Sequence, residues 1–305
     1  MTITGHHHIS IYTKDAKQNK HFYTDILGLR LVEKTVNQDD PTMYHLFYGD
    51  ESGHPGTLLT FFEMPHLGKH HPGINSIARL ALLVPNQRAL VCFKDRLMLN
   101  DIKAKTITYL GHKAIEFQDP DGFEIILMSN DNKKVPDSWQ HNPYTEIPAP
   151  LQILGMGPVE LRLRDIRPTA DFLVNTLGYR PVGNNIYTLD TEGLYSDFVL
   201  IEDTGERAKP GRGYVHHIAV SVPADKDLET ILEKIKQLPG ENSGIIDRYF
   251  FKSLYYRHNK IMYEFATEAP GFTVDTDVKN LGATLTLPDF LQDKREEIER
   301  HLNPL

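Results

Sequence analysis

Two apolar strand patterns in this chain, more than two hundred residues apart, begin with adjacent histidines. The first is GHHHISIYT at residues 5–13, and the second is GYVHHIAVSV at residues 213–222. A buried imidazole needs a partner for each ring nitrogen, so strands seldom open in this way by default. One explanation is sheet packing with incidental histidines. The other is that both strands direct an imidazole toward the same metal ion.

The elements around these strands repeat along the chain. FYTDILGLRLV (22–32) returns as FLVNTLGYRPV (172–182), offset by 150 residues, and RLALLVP (79–85) returns as HIAVSVP (217–223), offset by 138. The first pattern is typical of a short amphipathic helix that ends at a glycine in the C′ position and continues into a strand. Each copy of the second is followed by a helical stretch, an aromatic strand, a tight turn and a last strand.

These repeats predict four modules, each with the order βαβββ. Their approximate bounds are 5–65, 76–130, 152–204 and 213–268. We expect two domains of two modules each, over residues 1–130 and 151–270. The segment 131–150, rich in Pro, Asn and Asp, predicts a linker. The tail, 271–305, is expected to contain a closing helix with a solvated charged face.

Composition limits the function classes. The chain has 305 residues, of which 40% are hydrophobic and 24% charged, as in ordinary globular proteins. A net charge of -8 argues against a nucleic-acid partner, because such binding depends on neutralising phosphates with Lys and Arg. No apolar run approaches the roughly 20 residues of a membrane helix, and the early strand pattern leaves no room for a signal peptide. The single cysteine, Cys92, excludes an internal disulfide and favours a reducing cytoplasm.

The order of elements and several long strings resemble one known superfamily. Four βαβββ modules, a DPDG turn and strand-initial histidines resemble the vicinal oxygen chelate proteins, which include glyoxalases and extradiol ring-cleaving dioxygenases. Four strings are similar to the hydroquinone-type ring-cleaving dioxygenases: HHISIYTKDAKQNKHFYTDILGLRLVEKTVNQDDP, YHLFYGD, PGTLLTFF and DRYFFKSLYYR…YEFATEAPGF. The resemblance covers nearly the whole chain. It implies an α+β fold in which the four modules form two paired half-barrels.

The resemblance also implies a ligand set. Metal ligands in this superfamily come from the first and last strands of two facing modules, which here offer His8, His217 and Glu264. The two offsets lead from these residues to counterparts that cannot act as ligands, namely Pro158, Arg79 and Ile126. We therefore expect one site between modules one and four. Two histidines and a carboxylate with open positions favour Fe(II), although Zn, Ni or Mn would also fit.

Other site residues are predicted around this triad. Tyr255, in SLYYR, matches the tyrosine with which extradiol enzymes contact a substrate oxygen, and it would be catalytic. His45 is a candidate acid–base group. His258 lies in the turn RHNK (257–260), which differs from the family pattern, so we assign it a substrate contact. His7 and His216 should face away from the metal because side chains alternate along a strand. They would then be structural or support the ligands from outside.

The leading hypothesis is an extradiol-type ring-cleaving dioxygenase that opens a hydroquinone- or catechol-like ring. Its partners would be a small aromatic substrate and O2, and homodimer formation is left open. One alternative is a glyoxalase-type lyase or isomerase acting on a thiol adduct. That chemistry needs a second carboxylate, for which Glu63 is the candidate. The other alternative is a non-enzymatic small-molecule (drug) binding protein, against which the intact triad argues.

Overall fold

The computed structural model describes residues 3–305, and its strands form two sheets of eight. In chain order the strands are β1 Gly5–Thr13, β2 Arg30–Asn37, β3 Asp40–Gly49, β4 Leu58–Glu63, β5 Ser76–Val84, β6 Lys105–Tyr109, β7 His112–Gln118, β8 Glu124–Ser129, β9 Gly155–Leu163, β10 Arg180–Gly183, β11 Ile186–Thr188, β12 Phe198–Glu202, β13 Val215–Val222, β14 Asn242–Asp247, β15 Phe251–His258 and β16 Ile261–Pro270. Each predicted module thus contributes four strands.

Six α-helices complete the modules and the tail. They are α1 Ala16–Lys20, α2 Gln87–Leu99, α3 Arg167–Asp171, α4 Asp225–Ile235, α5 Asp289–Gln292 and α6 Arg295–His301. α1 and α3 each continue into a π-helical stretch, over His21–Ile26 and Phe172–Thr176. The predicted glycine after the first of these, Gly28, has a φ of 75°, and a Cβ there would lie 2.6 Å from the Ile147 side chain. This position therefore requires glycine.

The sheets pair modules that are not neighbours in the predicted domains. The first sheet has the order β14-β15-β16-β13-β1-β4-β3-β2, which joins module four to module one. The second has the order β10-β11-β12-β9-β5-β8-β7-β6 and joins module three to module two. Both seams are antiparallel, between β1 and β13 and between β5 and β9. The α+β fold of four βαβββ modules in two half-barrels is confirmed, with the pairing that the ligand split predicted.

The main core lies on the helix-covered faces of the sheets. Ile9, Leu80 and Val220 belong to one buried cluster together with Phe93 of α2 and Ile231 of α4. The opposite face of each sheet has its own smaller cluster. One face of every central strand thus builds the core, which leaves the other face free for a site.

The segment 131–150 packs against both halves of the chain. The Trp139 indole N–H donates to the Pro55 carbonyl at 2.8 Å. A Cβ on Gly56 or Gly155 would lie 2.7 or 2.6 Å from the Trp139 ring, so both glycines are needed for this close approach. Trp139 also packs against the buried cluster on the inner face of the second sheet. The segment is therefore an ordered strap across the second half-barrel.

The tail forms two short helices where one closing helix was expected. The first helical turn ends because the Lys294 N–H bonds to the Leu291 carbonyl, three residues earlier, at 3.0 Å. Leu291 and Ile298 are buried, and the charged residues around them are mostly exposed. No helix among residues 3–305 is long and apolar enough to span a membrane.

Candidate metal centre

The seam of the first sheet carries the three predicted ligands on one face. β1 pairs antiparallel with β13, and β13 pairs parallel with β16. Ser10 lies opposite His217, and Ala219 lies between His8 on one side and Glu264 on the other. Because side chains alternate between the faces of a strand, this register directs all three candidate ligands to the same side.

The three side chains converge. His8 Nε2 and His217 Nε2 lie 3.1 and 2.8 Å from Glu264 Oε2, and the two nitrogens are 3.1 Å apart. All three residues are at most 3% exposed. Atoms bound at right angles to one ion at about 2.1 Å lie about 3 Å from each other. The spacing therefore fits a single metal ion.

The donor atoms also fit an ion chemically. Glu264 Oε2 is buried and accepts no hydrogen bond of normal geometry from a described residue, although both imidazole nitrogens are close. Its other oxygen, Oε1, accepts a hydrogen bond from Ser253 Oγ at 2.5 Å. A buried acceptor without a directed donor is costly unless something else neutralises it. A cation at the point where the three atoms converge would do so.

The protonation states suit ligation. Burial favours a raised pKa for Glu264, but the charges and hydrogen bonds of His8 and His217 outweigh it and hold this pKa well below its usual value. Burial lowers the pKa of His217, against the opposing charge of Glu264. At neutral pH the carboxylate is therefore ionised and His217 is neutral, the forms in which both bind metals.

His7 and His216 do not face away from the ligands as alternation predicted. The β1–β13 ladder shifts register at each of them, so both lie at β-bulges. A bulge re-aims the extra side chain. His7 Nδ1 therefore lies 2.9 Å from His8 Nδ1, and His216 Nδ1 lies 2.7 Å from His217 Nδ1. His8 and His217 thus each have a second imidazole next to Nδ1, which can fix the orientation of the ring and leave Nε2 for the metal.

A cavity of about 310 Å³ opens above the triad. Its walls are largely aromatic and thioether side chains, among them Tyr12, Phe47, Phe62, Phe250, Phe251 and Met262. A larger, more open groove of about 700 Å³ lies along α1 and β7, but no ligand of the triad lines it. The smaller cavity combines apolar walls with convergent polar groups, as is typical of a small-molecule site.

Tyr255 lies in this cavity. It is paired with Glu264 across β15 and β16, and its ring centroid is 5.6 Å from that of His217. Burial and the nearby Glu264 carboxylate raise its pKa. The phenol is therefore protonated at neutral pH and available as a hydrogen-bond donor.

His45 also lines the cavity. Its ring is stacked on Phe62 at 4.1 Å, and its Nε2 lies 3.0 Å from Thr60 Oγ1. Burial lowers its pKa well below the usual value, and the charges of His8 and His217 lower it further. The neutral imidazole can therefore act as a proton acceptor but not as an imidazolium acid.

The structure does not bring His258 or Glu63 into the cavity. His258 is three residues beyond Tyr255, which places it on the opposite face of β15, where it stacks on Phe172 and its Nε2 lies 2.9 Å from the Pro168 carbonyl. The structure therefore places His258 outside the cavity in which a substrate contact was predicted for it. Glu63 accepts a hydrogen bond from the Ala16 amide at 2.8 Å, at the start of α1.

Sequence reasoning missed Arg248. This residue lies in the turn between β14 and β15, and its guanidinium carbon is 5.5 Å from the ring centroid of Tyr255 in the same cavity. Its charge contributes to the low pKa values of His45 and His217. The string DRYFFKS shows an arginine beside aromatic residues, but the sequence does not show that the turn containing it faces the site.

The counterpart residues occupy the seam of the second sheet. Arg79 replaces a histidine there and forms ion pairs with Glu116 and Glu160, each at 2.7 Å. The other two counterpart residues, Ile126 and Pro158, are also buried. The Tyr109 ring lies 5.5 Å from the Arg79 guanidinium. An ion-pair network therefore fills the place that the triad has in the first sheet.

The fold and the converging triad define the class of protein. Residues 5–127 match the Glyoxalase/Bleomycin resistance protein/Dioxygenase superfamily. The chain belongs to this superfamily and, within it, to the family of the ring-cleaving dioxygenases. It is 38% identical over 317 residues to MhqA of Bacillus subtilis (strain 168), assigned by name as a ring-cleaving dioxygenase, with 100% of both chains covered.

Two further comparisons agree. The chlorohydroquinone/hydroquinone 1,2-dioxygenase of Sphingobium indicum is 28% identical, with 99% of this chain and 96% of that protein covered. A crystal structure described as a dioxygenase from Bacillus subtilis matches with a TM-score of 0.92 and 30% identity, over 100% of this chain and 98% of that one. The similarity thus extends over the full length of the chain.

Proposed function

We propose that the protein is an extradiol-type ring-cleaving dioxygenase that opens a hydroquinone- or catechol-like ring with O2 at an Fe(II) ion held by His8, His217 and Glu264. The observation that carries the proposal is the convergence of these three side chains at one end of an aromatic cavity. The hydroquinone activity in the name of the Sphingobium relative supports the substrate class.

The ligand set supports iron. Two neutral imidazoles and one carboxylate are the facial arrangement of non-haem Fe(II) oxygenases, which leaves positions open for substrate and oxygen. When bound, the metal would supply Lewis acidity and a path for electrons from the ring to O2. Zn, Ni and Mn remain alternatives for the same donors.

The other cavity residues would bind and orient the ring. Phe47 and Phe62 offer apolar faces against which a flat ring can lie. Arg248 supplies a positive charge and Tyr255 a protonated hydroxyl, both suited to hold a substrate oxygen. His45, neutral and hydrogen-bonded to Thr60, is placed to accept a proton from a substrate hydroxyl.

The glyoxalase alternative has less support. It needs a second carboxylate beside the metal, and Glu63 lies on the other face of β4. Of the residues that line the cavity, Asp39 and Glu264 are the acidic ones. Asp39 is paired with Arg248 at the cavity mouth. A proton shuttle of the glyoxalase type is therefore not apparent among them.

The test is anaerobic loading with Fe(II), followed by oxygen uptake with a panel of quinols and catechols. Uptake in proportion to loss of aromatic absorbance is the expected result. Isomerisation of a hemithioacetal without oxygen uptake would favour the glyoxalase alternative. A cytoplasmic location belongs to the same proposal and is supported by the single free cysteine, Cys92.

A further inference from the structure

The tip of the β2–β3 hairpin meets the β14–β15 turn across the mouth of the cavity. The hairpin belongs to module one and the turn to module four. Asp39 and Arg248 form a two-pronged ion pair, with Nη1–Oδ1 and Nη2–Oδ2 distances of 3.3 and 3.1 Å. The Gln38 side-chain amide donates to the Arg248 carbonyl at 3.0 Å. All three residues line the cavity.

Folding stability does not account for this contact. The Asp39 side chain is 74% exposed, whereas that of Arg248 is 19% exposed. A pair with so exposed a member contributes about 0–1 kcal/mol to stability. The two-pronged geometry does, however, fix the plane of the guanidinium, which a single contact would leave free to rotate.

The contacts with Asp39 leave several N–H donors of Arg248 unused. Both terminal nitrogens bond to Asp39, but Nε is buried and has no hydrogen-bond partner among the described residues. The guanidinium has five N–H donors, and the two contacts with Asp39 leave further donors on a side chain that lines the cavity. The guanidinium also lies beside Tyr255, which faces the same space.

We propose that Asp39 is a positioning residue that holds the Arg248 guanidinium across the cavity mouth, where its remaining N–H donors can bind a substrate oxygen. This inference rests on the proposed function and extends it to the substrate. A 1,4-diol carries its oxygens at opposite ends of the ring, so only one of them can reach the triad. The other oxygen needs a partner elsewhere, and Arg248 supplies it.

The first test compares Asp39→Asn with Asp40→Asn. Asp40→Asn is the matched control, since it removes the same charge from the same hairpin, and among residues 3–305 the Asp40 side chain is bonded to Thr42 alone. Asp39→Asn should raise KM for a quinol about tenfold, the size expected for one charge-assisted hydrogen bond, with little change in kcat. Asp39→Glu should restore most of the affinity. High salt should raise the wild-type KM but leave that of Asp39→Asn unchanged.

A second measurement does not depend on activity. Hydrogen exchange should be faster in Asp39→Asn at residues 248–251, on the far side of the mouth, and unchanged there in Asp40→Asn. Equal KM values for the two variants, or a lower KM for Asp39→Asn, would overturn the proposal. Absence of oxygen uptake by the wild type would instead contradict the proposed function. The exchange result would still decide whether Asp39 holds Arg248.

Discussion

The two half-barrels are built from the same module, yet the polar side chains at their seams differ in kind. In the first, His8, His217 and Glu264 converge beneath an open cavity. In the second, Arg79 lies between Glu116 and Glu160, and the Tyr109 ring lies beside its guanidinium. One seam has three donor atoms whose spacing fits an ion, whereas the other has an arginine that pairs with two carboxylates.

The two half-barrels also differ in how the inner face of each sheet is packed. The inner face of the second sheet is filled by Leu194, Tyr195 and the strap residue Trp139. A filled seam buries more apolar surface and needs no ligand. The first half-barrel instead leaves a cavity above the triad.

The largest expected effect comes from removing one ligand of the triad. His8→Ala, His217→Ala or Glu264→Ala should lower metal affinity and oxygen uptake more than about a hundredfold, beyond the effect typical of outer partners. Metal content and oxygen uptake would be measured on protein shown by circular dichroism to be folded. Arg79→Ala, at the counterpart position, is the control and should keep its metal. Retention of metal by all three triad variants would show that the ion binds elsewhere.

Breaking the ion pair in the second half-barrel should affect stability rather than activity. Arg79→Met leaves Glu160, whose side chain is only 2% exposed, without its partner. We expect the free energy of unfolding in urea to fall by about 2–4 kcal/mol. Adding Glu160→Gln should recover part of the loss. If metal affinity also fell, the two half-barrels would be coupled more closely than their separate seams indicate.

The outer histidines should show an intermediate effect. His7→Ala should weaken metal binding by about 10–100-fold, because the outer nitrogen of His8 loses its partner. His7→Gln offers an acceptor and should restore part of the affinity. His45→Gln is a suitable control, since His45 lines the cavity but bonds to Thr60 rather than to a ligand. Equal metal affinity in His7→Ala and wild type would assign the bulge a purely structural role.

The smallest effect concerns Glu33 on β2, whose counterpart in the second half-barrel is the exposed Gly183. Burial raises the Glu33 pKa from 4.5 to about 8. Between these values the folded protein keeps a proton that the unfolded chain releases, so stability falls as pH rises and levels off above about 8. Glu33→Gln should match wild type near pH 5 and exceed it by about 1–2 kcal/mol near pH 9. Parallel stability curves for the two proteins would contradict this assignment.

Much of the architecture could be predicted because repetition is visible in sequence. Residues in equivalent strands recur at fixed offsets, and the offsets also separate the seam with His8 from the seam with Pro158. The pairing of modules one and four followed from where ligand-capable side chains remained. Alternation along β15 also contained the information that His258 and Tyr255 face opposite ways.

The rest depends on local geometry that a sequence pattern does not contain. The bulges at His7 and His216 are shifts in pairing between strands about two hundred residues apart. Arg248 faces the cavity because of the turn that contains it, where the next residue, Tyr249, has a φ of 74°. Trp139 lies in a polar segment without periodicity, so its contacts with Gly56 and Gly155 could not be foreseen.

The pairing of the first and last modules also affects how the chain matures during synthesis. His8 emerges from the ribosome 209 residues before His217. Until β13 has been synthesised, the edge of β1 that pairs with it has no partner strand. Modules two and three are adjacent, so their sheet can close while module four is still being made. The metal-binding half is then completed last. A chain truncated before Glu264 would lack a ligand, so only a nearly full-length product could acquire the ion.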